Sequence, residues 1–144
     1  TTIERFILAN GNGRNCKGVI NDLFLKSVGK YGATMGSDVL MKPILQGGSN
    51  VALNDLNNKR FVVCREPPVG RAQLQPSTIK ELTGGSVVAA RGNYSSNMET
   101  NLRCIIVMEC NDKPLMAGGE CGGAMQSRLI DIGFHSTFVE RECD

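Results

Sequence analysis

The residues best placed to do chemistry are Gly11-Asn12-Gly13-Arg14-Asn15-Cys16-Lys17-Gly18, ahead of Val19. They follow an apolar run, Phe6-Ile7-Leu8-Ala9, and precede a helical pattern that opens at Val19 and Ile20. A glycine-rich turn between a buried strand and a helix start is suited to nucleotide phosphates. Its backbone N–H groups point into the turn, the helix dipole adds positive potential, and Lys17 supplies a full charge. The stretch nearly fits the phosphate-loop pattern G-x-x-x-x-G-K-[ST]. Cys16 stands where glycine is expected, and Gly18 where a hydroxyl is expected. Gly11 to Val19 is therefore the candidate nucleotide-binding segment.

Two further apolar runs end in residues of matching chemistry. Phe61-Val62-Val63-Cys64 leads to Arg65-Glu66, and Cys104-Ile105-Ile106-Val107-Met108 leads to Glu109-Cys110-Asn111. Ligands of open α/β sheets bind beyond the carboxyl ends of the strands. Hydrolysis of a nucleoside triphosphate needs a phosphate clamp, a metal, an acidic group that holds the metal or activates water, and a polar group that orients that water. These needs map onto Lys17, Mg2+, Glu66 and Asn111. Each residue alone has a plainer reading: a chance glycine-rich turn, a solvated charge, a turn-forming Asn. Their order, each after a buried run, is what joins them.

The elements that must position these residues are legible in outline. Residues 3–9 predict a buried strand. Residues 17–31 predict a helix, with Ile20, Leu23, Phe24, Val28 and Tyr31 on one face and Gly29 and Gly32 at its end. Residues 33–50 read as loops around a short helix from Asp38 to Leu45. The strand at 61–64 is stopped by Pro67-Pro68. A short helix falls within 74–82 and is broken by Gly84-Gly85. Val87 to Arg91 and Leu102 to Met108 read as two strands of a long hairpin with a polar tip at 92–97. Leu129 to Phe134 is the last strand, and Ala117 to Gly123 a glycine-rich loop. Continuous apolar runs separated by helices predict a mainly parallel sheet buried on both faces, in a single domain covering residues 1–144.

Composition sets limits on function. The net charge of +2 makes no electrostatic case for nucleic acid across the whole chain, so such a case must be local. The six cysteines form no Cys-x-x-Cys pair, and His135 is the one histidine, which argues against zinc. Cys64 and Cys104 lie in apolar runs and read as free buried thiols in a reducing compartment. No run approaches the roughly 18 apolar residues that span a bilayer, and no signal peptide is visible. The chain has no initiating Met and enters strand-like residues almost at once, so we read it as part of a longer protein.

Four stretches resemble, in order, the motifs of superfamily 3 helicases. They are Gly11 to Gly18; the strand ending at Glu66; Ile79-Lys-Glu-Leu-Thr-Gly-Gly-Ser-Val-Val-Ala-Ala-Arg91; and Ile105-Ile-Val-Met-Glu-Cys-Asn111-Asp-Lys-Pro114. The likeness is to the poxvirus-type primase-helicases of large DNA viruses and related phage enzymes, and it runs from about residue 5 to 138. It implies a three-layer α/β/α sandwich of the AAA+ P-loop type with a hairpin insertion. It also implies an ATPase that works as a homo-oligomeric, usually hexameric, ring to translocate on single-stranded or forked DNA and unwind it during replication. Lys17 matches the phosphate-loop lysine, Glu66 the acidic residue of the metal-binding strand, and Asn111 the polar sensor. Arg128 matches the arginine finger that reaches a neighbouring subunit's nucleotide. The hairpin resembles the family's central-channel hairpin, which makes Lys80, Arg91, Asn93 and Tyr94 candidate DNA contacts; a solvated loop is the open alternative. The resemblance places the protein in the cytoplasm or nucleus of an infected cell, or in a bacterial cytoplasm for a phage relative.

The departures have consequences. Gly18 removes a magnesium-binding hydroxyl. Cys16 adds a Cβ where backbone approaches phosphate; a reactive thiol at a helix start beside Lys17 is one reading, and a tolerated substitution with no regulatory role is the plainer one. Ser86 replaces a common Asp, and Ser127 a common Arg. Two other readings stay open: a nucleotide-binding assembly module with little or no hydrolysis, and a small-molecule kinase sharing only the phosphate loop. The sensor Asn, the hairpin motif and the lack of an arginine-rich lid disfavour the kinase.

Overall fold

The apolar runs at 6–9, 61–64 and 105–108 become neighbouring parallel strands, as β-branched and aliphatic residues buried on both sides require. A computed structural model describes residues 3–44, 51–65, 73–85, 87–92, 95–119 and 122–140. In chain order, β1 (Phe6–Asn10) leads to α1 (Lys17–Val28), a 3₁₀ turn at Gly29–Tyr31 and β2 (Gly32–Met35). A second 3₁₀ turn at Ser37–Met41, α2 (Val51–Asn54) and β3 (Phe61–Cys64) follow. Next come β4 (Gln73–Leu74), α3 (Pro76–Thr83), and the strands β5 (Val87–Gly92) and β6 (Ser95–Asn101). The chain continues through β7 (Ile105–Cys110), β8 (Leu115–Met116), α4 (Gly123–Gln126) and β9 (Leu129–Gly133).

The central sheet has five strands in the order β2-β3-β7-β1-β9, and every neighbouring pair is parallel. The loops after β1 and β7 therefore leave adjacent strands at the same edge. Strands β4 and β8 form a small parallel pair, and β5 and β6 an antiparallel hairpin.

Alternation splits the sheet into two faces. Phe6, Leu8, Val62, Cys64, Ile106 and Met108 point into the main core with Leu40, Leu53, Leu74, Ile79, Leu82 and Met125. Each large aliphatic side chain buried there contributes roughly 1.5–3 kcal/mol. On the other face, Ala9, Val63 and Val107 are buried. α1 packs over β2 and β3, with Phe24 tilted against Phe61 at 5.7 Å between ring centroids.

Four expectations need correction. β2 lies where 33–50 predicted loops, and Gly32 opens this strand instead of closing the helix. β2 is an edge strand, and its mixed Gly-Ala-Thr-Met sequence carries no continuous apolar run. The helix expected from Asp38 is the 3₁₀ turn at Ser37–Met41. The partner of β5 is the polar strand β6, with Val87 opposite Asn101 and Ala90 opposite Met98. Residues 105–110 instead enter the central sheet as β7, because only there can Ile106 and Met108 on one face and Val107 on the other all be buried. The hairpin strands are thus β5 and β6, and residues 93–94 lie outside the described residues.

The fourth correction concerns α1. It ends at Val28, where Gly29 adopts φ 53. Its apolar stripe faces largely outward: Ile20 is 39%, Leu23 63% and Phe24 53% exposed. The buried side chains are Lys17 and Asn21. The first turns of α1 stand over the carboxyl edge of the sheet and turn polar groups, not aliphatic ones, toward it.

Candidate functional site at the carboxyl edge of the sheet

The glycine-rich loop is shaped by contacts with the segment that follows β9. Phe134 N donates to Asn10 O at 2.7 Å, and Phe138 N to Arg14 O at 2.8 Å. Asn15 Nδ2 donates to Phe134 O at 3.3 Å, while Asn15 Oδ1 accepts from Lys17 N at 3.4 Å. Gly11 has φ 145, and a Cβ there would overlap the Phe134 carbonyl and lie 2.7 Å from Asn15 Nδ2. Only glycine fits that position. Arg14 and Cys16 flank Asn15 in the left-handed region, at φ 60 and 63. This gives the expected glycine at position 16 a conformational reason: a side chain there costs roughly 1–2 kcal/mol.

α1 starts immediately after Cys16, with its N-terminus at the loop. Residues Gly13 to Val19, closed by Arg65, Glu109, Cys110 and Asn111, line a cleft of about 400 Å³. Gly11 and Asn12 line a neighbouring cavity of about 250 Å³ with Asn111 and Phe134. Lys17 is only 8% exposed. Its Nζ donates to Gly11 O, to Cys110 O at 3.2 Å and to Asn111 Oδ1 at 3.1 Å. Lys17 and Asn111, the polar residue after β7, are therefore in direct contact at the ends of two adjacent strands. Glu66 lies outside the described residues. Arg65, which precedes it, pairs with Asp22 of α1 at 2.5 Å. Both partners are exposed, so the pair is worth at most about 1 kcal/mol.

Sequence reasoning missed Glu109 and Asn21. Asn21 Nδ2 donates to Glu109 Oε1 at 2.8 Å, and Asn21 is 6% exposed. The available signal was a carboxylate interrupting an otherwise apolar strand, and two polar residues, Lys17 and Asn21, one helical turn apart.

Arg128 sits at the other edge. It precedes β9, and its carbonyl accepts from Phe6 N at 2.9 Å at the start of β1. A five-residue strand spans about 16 Å, so Arg128 does not reach the cleft of its own chain. Its guanidinium is held by Glu4 and by Ala124 O, the latter at 2.7 Å. Nε is buried without a partner among the described residues. Of the candidate DNA contacts, Lys80 is exposed on α3 and Arg91 lies on β5; Asn93 and Tyr94 fall outside the described residues. Arg103 and Arg60 line a polar cleft of about 230 Å³ with Asn58 and Asn101.

Cys64 and Cys104 are fully buried thiols. Burial, with the Asp38 charge adding, pushes Cys64 up to about 12, and burial pushes Cys104 up to about 11. No group of three or more His, Cys, Asp or Glu able to hold a metal occurs among the described residues. No helix among them is long and apolar enough to cross a membrane.

A parallel five-stranded sheet, flanking helices and a glycine-rich loop at its carboxyl edge define a layered α/β fold with a mainly parallel central sheet. Solved structures share it. The C-terminal region of NrS-1, in its apo A form, matches with a TM-score of 0.67 at 14% identity, over 98% of this chain and 31% of that one. JCV helicase, solved with N-(4-(2-(thiazolo[5,4-c]pyridin-2-yl)phenoxy)phenyl)acetamide bound, matches with a TM-score of 0.60 at 16% identity, over 93% of this chain and 36% of that one. The chain thus spans about a third of the length of the structures it matches. No protein-family profile matches the sequence, and no curated protein matches it.

Proposed function

We propose that this chain is the ATP-hydrolysing core of a superfamily 3 DNA helicase of the poxvirus primase-helicase type. It turns ATP into ADP and phosphate to drive movement on DNA. The observation that carries this reading is the contact of Lys17 Nζ with Asn111 Oδ1 at the carboxyl edges of two adjacent strands. A cation and a neutral polar group are thereby gathered beside a helix N-terminus, where phosphate charge is favoured.

Lys17 would exchange its carbonyl partners for phosphate oxygens and neutralise charge that grows during phosphoryl transfer. Asn111, freed from Lys17, would orient the attacking water. Glu66, next to the cleft-lining Arg65, would accept the proton of that water or hold Mg2+. Bound Mg2+ supplies charge neutralisation between the phosphate oxygens. Arg128, at the far edge, would act on the nucleotide of a neighbouring copy in a ring, after leaving Glu4. Lys80 and Arg91 would follow the backbone of single-stranded DNA.

Gly18, which offers no hydroxyl to a metal, favours a second reading: a nucleotide-binding assembly module with little hydrolysis. One experiment separates the two. ATP turnover is measured with and without single-stranded DNA, for the wild type and for Lys17→Ala, Glu66→Gln and Arg128→Ala, in protein that forms rings. The helicase reading expects DNA-stimulated turnover lost in all three variants. Nucleotide-dependent assembly without turnover would establish the second reading instead.

A further inference from the structure

We infer that Glu109 supplies, from β7, the protein ligand to the divalent cation that the phosphate loop lacks at Gly18. This rests on the reading of the cleft as a nucleoside triphosphate site. A Cβ placed on Gly18 would meet one atom within 4 Å, Glu109 Oε2, at 3.9 Å. A hydroxyl side chain at position 18 and the Glu109 carboxylate would therefore reach into the same space at the start of α1. Gly18 leaves that space open, and Glu109 borders it.

The carboxylate is also held for this task. Oε1 accepts from Asn21 Nδ2 at 2.8 Å, and Asn21 is itself 6% exposed. Oε2 has no hydrogen-bond or ion-pair partner among the described residues. Two of the three cations that line the cleft are engaged elsewhere, Lys17 with Gly11 O, Cys110 O and Asn111, and Arg65 with Asp22; the third, Arg14, is exposed. A negative group lining a cleft that takes up phosphates is repulsive unless a cation lies between them. Mg2+ in nucleotide sites is held in this manner, by one or two carboxylates together with phosphate oxygens and water, not by a cage of protein ligands. The donor set fits that ion. Asn21, which fixes the carboxylate through its other oxygen, is a positioning residue.

Binding of a non-hydrolysable triphosphate, AMP-PNP, is measured by calorimetry with and without Mg2+, and bound Mn2+ is followed by electron paramagnetic resonance. In the wild type, the metal should tighten AMP-PNP at least tenfold. Glu109→Gln, which keeps an acceptor for Asn21, should lose most of that gain and the bound-Mn2+ signal. Its metal-free affinity should stay equal or become tighter, since a repulsive charge is gone. Adding Gly18→Ser to Glu109→Gln should bring back the metal response, because the hydroxyl fills the same coordination position. A full metal response in Glu109→Gln, with AMP-PNP binding still abolished by Lys17→Ala, overturns the role of Glu109 and leaves the nucleotide site standing. Loss of metal-free binding in Glu109→Gln overturns it too, as does a double variant without recovery. Absence of AMP-PNP binding to the wild type under every condition overturns both readings.

Discussion

The two edges of the central sheet carry opposite kinds of chemistry. At the carboxyl edge, Lys17, Glu109 and Asn111 converge on one cleft of about 400 Å³. At the amino edge, Arg60 and Arg103 line a separate polar cleft, and Arg128 is tied to Glu4 and Ala124. A parallel sheet has a direction, so the two edges of one molecule never meet. Under the proposed reading, Arg128 would complete the carboxyl-edge cleft of a neighbouring copy, and one copy would carry halves of two different sites.

The sharpest way to break this comparison is Arg128→Ala. In assembled protein, turnover should fall by about 10³-fold, the effect of an arginine supplied in trans, while AMP-PNP binding to the single chain stays unchanged. A fall in single-chain binding would place Arg128 in its own chain's site. Gly11→Ala comes next. The clash with the Phe134 carbonyl and the φ of 145 should destabilise the fold by about 3 kcal/mol, read as a drop in the urea midpoint. Lys17→Ala should weaken AMP-PNP binding about 100-fold by calorimetry, through loss of charge-assisted phosphate contacts. The amino-edge clefts should be untouched.

Two smaller effects sharpen the comparison. Cys64 ends β3 at the carboxyl edge, while Cys104 precedes β7 at the amino edge, and both are fully buried. Their folded pKa values, about 12 and about 11, lie above the unfolded value of 9.0. The unfolded chain therefore loses protons first, so stability from these thiols is complete below pH 9.0 and erodes toward pH 11–12. Each thiol should cost about 1.4 kcal/mol per pH unit in that window, measured by urea unfolding, and Cys→Ala at either site should flatten the slope. Smallest is Cys16→Gly, which should raise stability by about 0.5–1 kcal/mol by relieving the left-handed residue. Thermal melts check this.

The sequence was most readable where the fold constrains it most. Central strands β1, β3 and β7 need apolar residues on both sides, so their runs stand out. Edge strand β2 and hairpin strand β6 need no such run, and a period of two or 3.6 has nothing to grip in Gly-Ala-Thr-Met or Ser-Ser-Asn-Met. The stripe on α1 was seen but its direction was not, because periodicity finds a face without saying what lies opposite. Lys17 and Asn111 were legible from local pattern and order. Glu109 was not, since its meaning depends on Asn21 and Gly18 brought beside it by a strand–helix contact that no local window contains.

The strap from Phe134 to Phe138 ties the shape of the glycine-rich loop to residues far along the chain; the Asn15–Phe134 bond alone joins positions 119 residues apart. Such a long loop closes late, because its entropy cost precedes any return. A chain growing from its amino end therefore makes the loop well before β9 but can set its geometry only after β9 has docked. Nascent protein should be blind to nucleotide until nearly all of this domain has emerged from the ribosome. Within these residues, the loop is made early and is the last to acquire its shape.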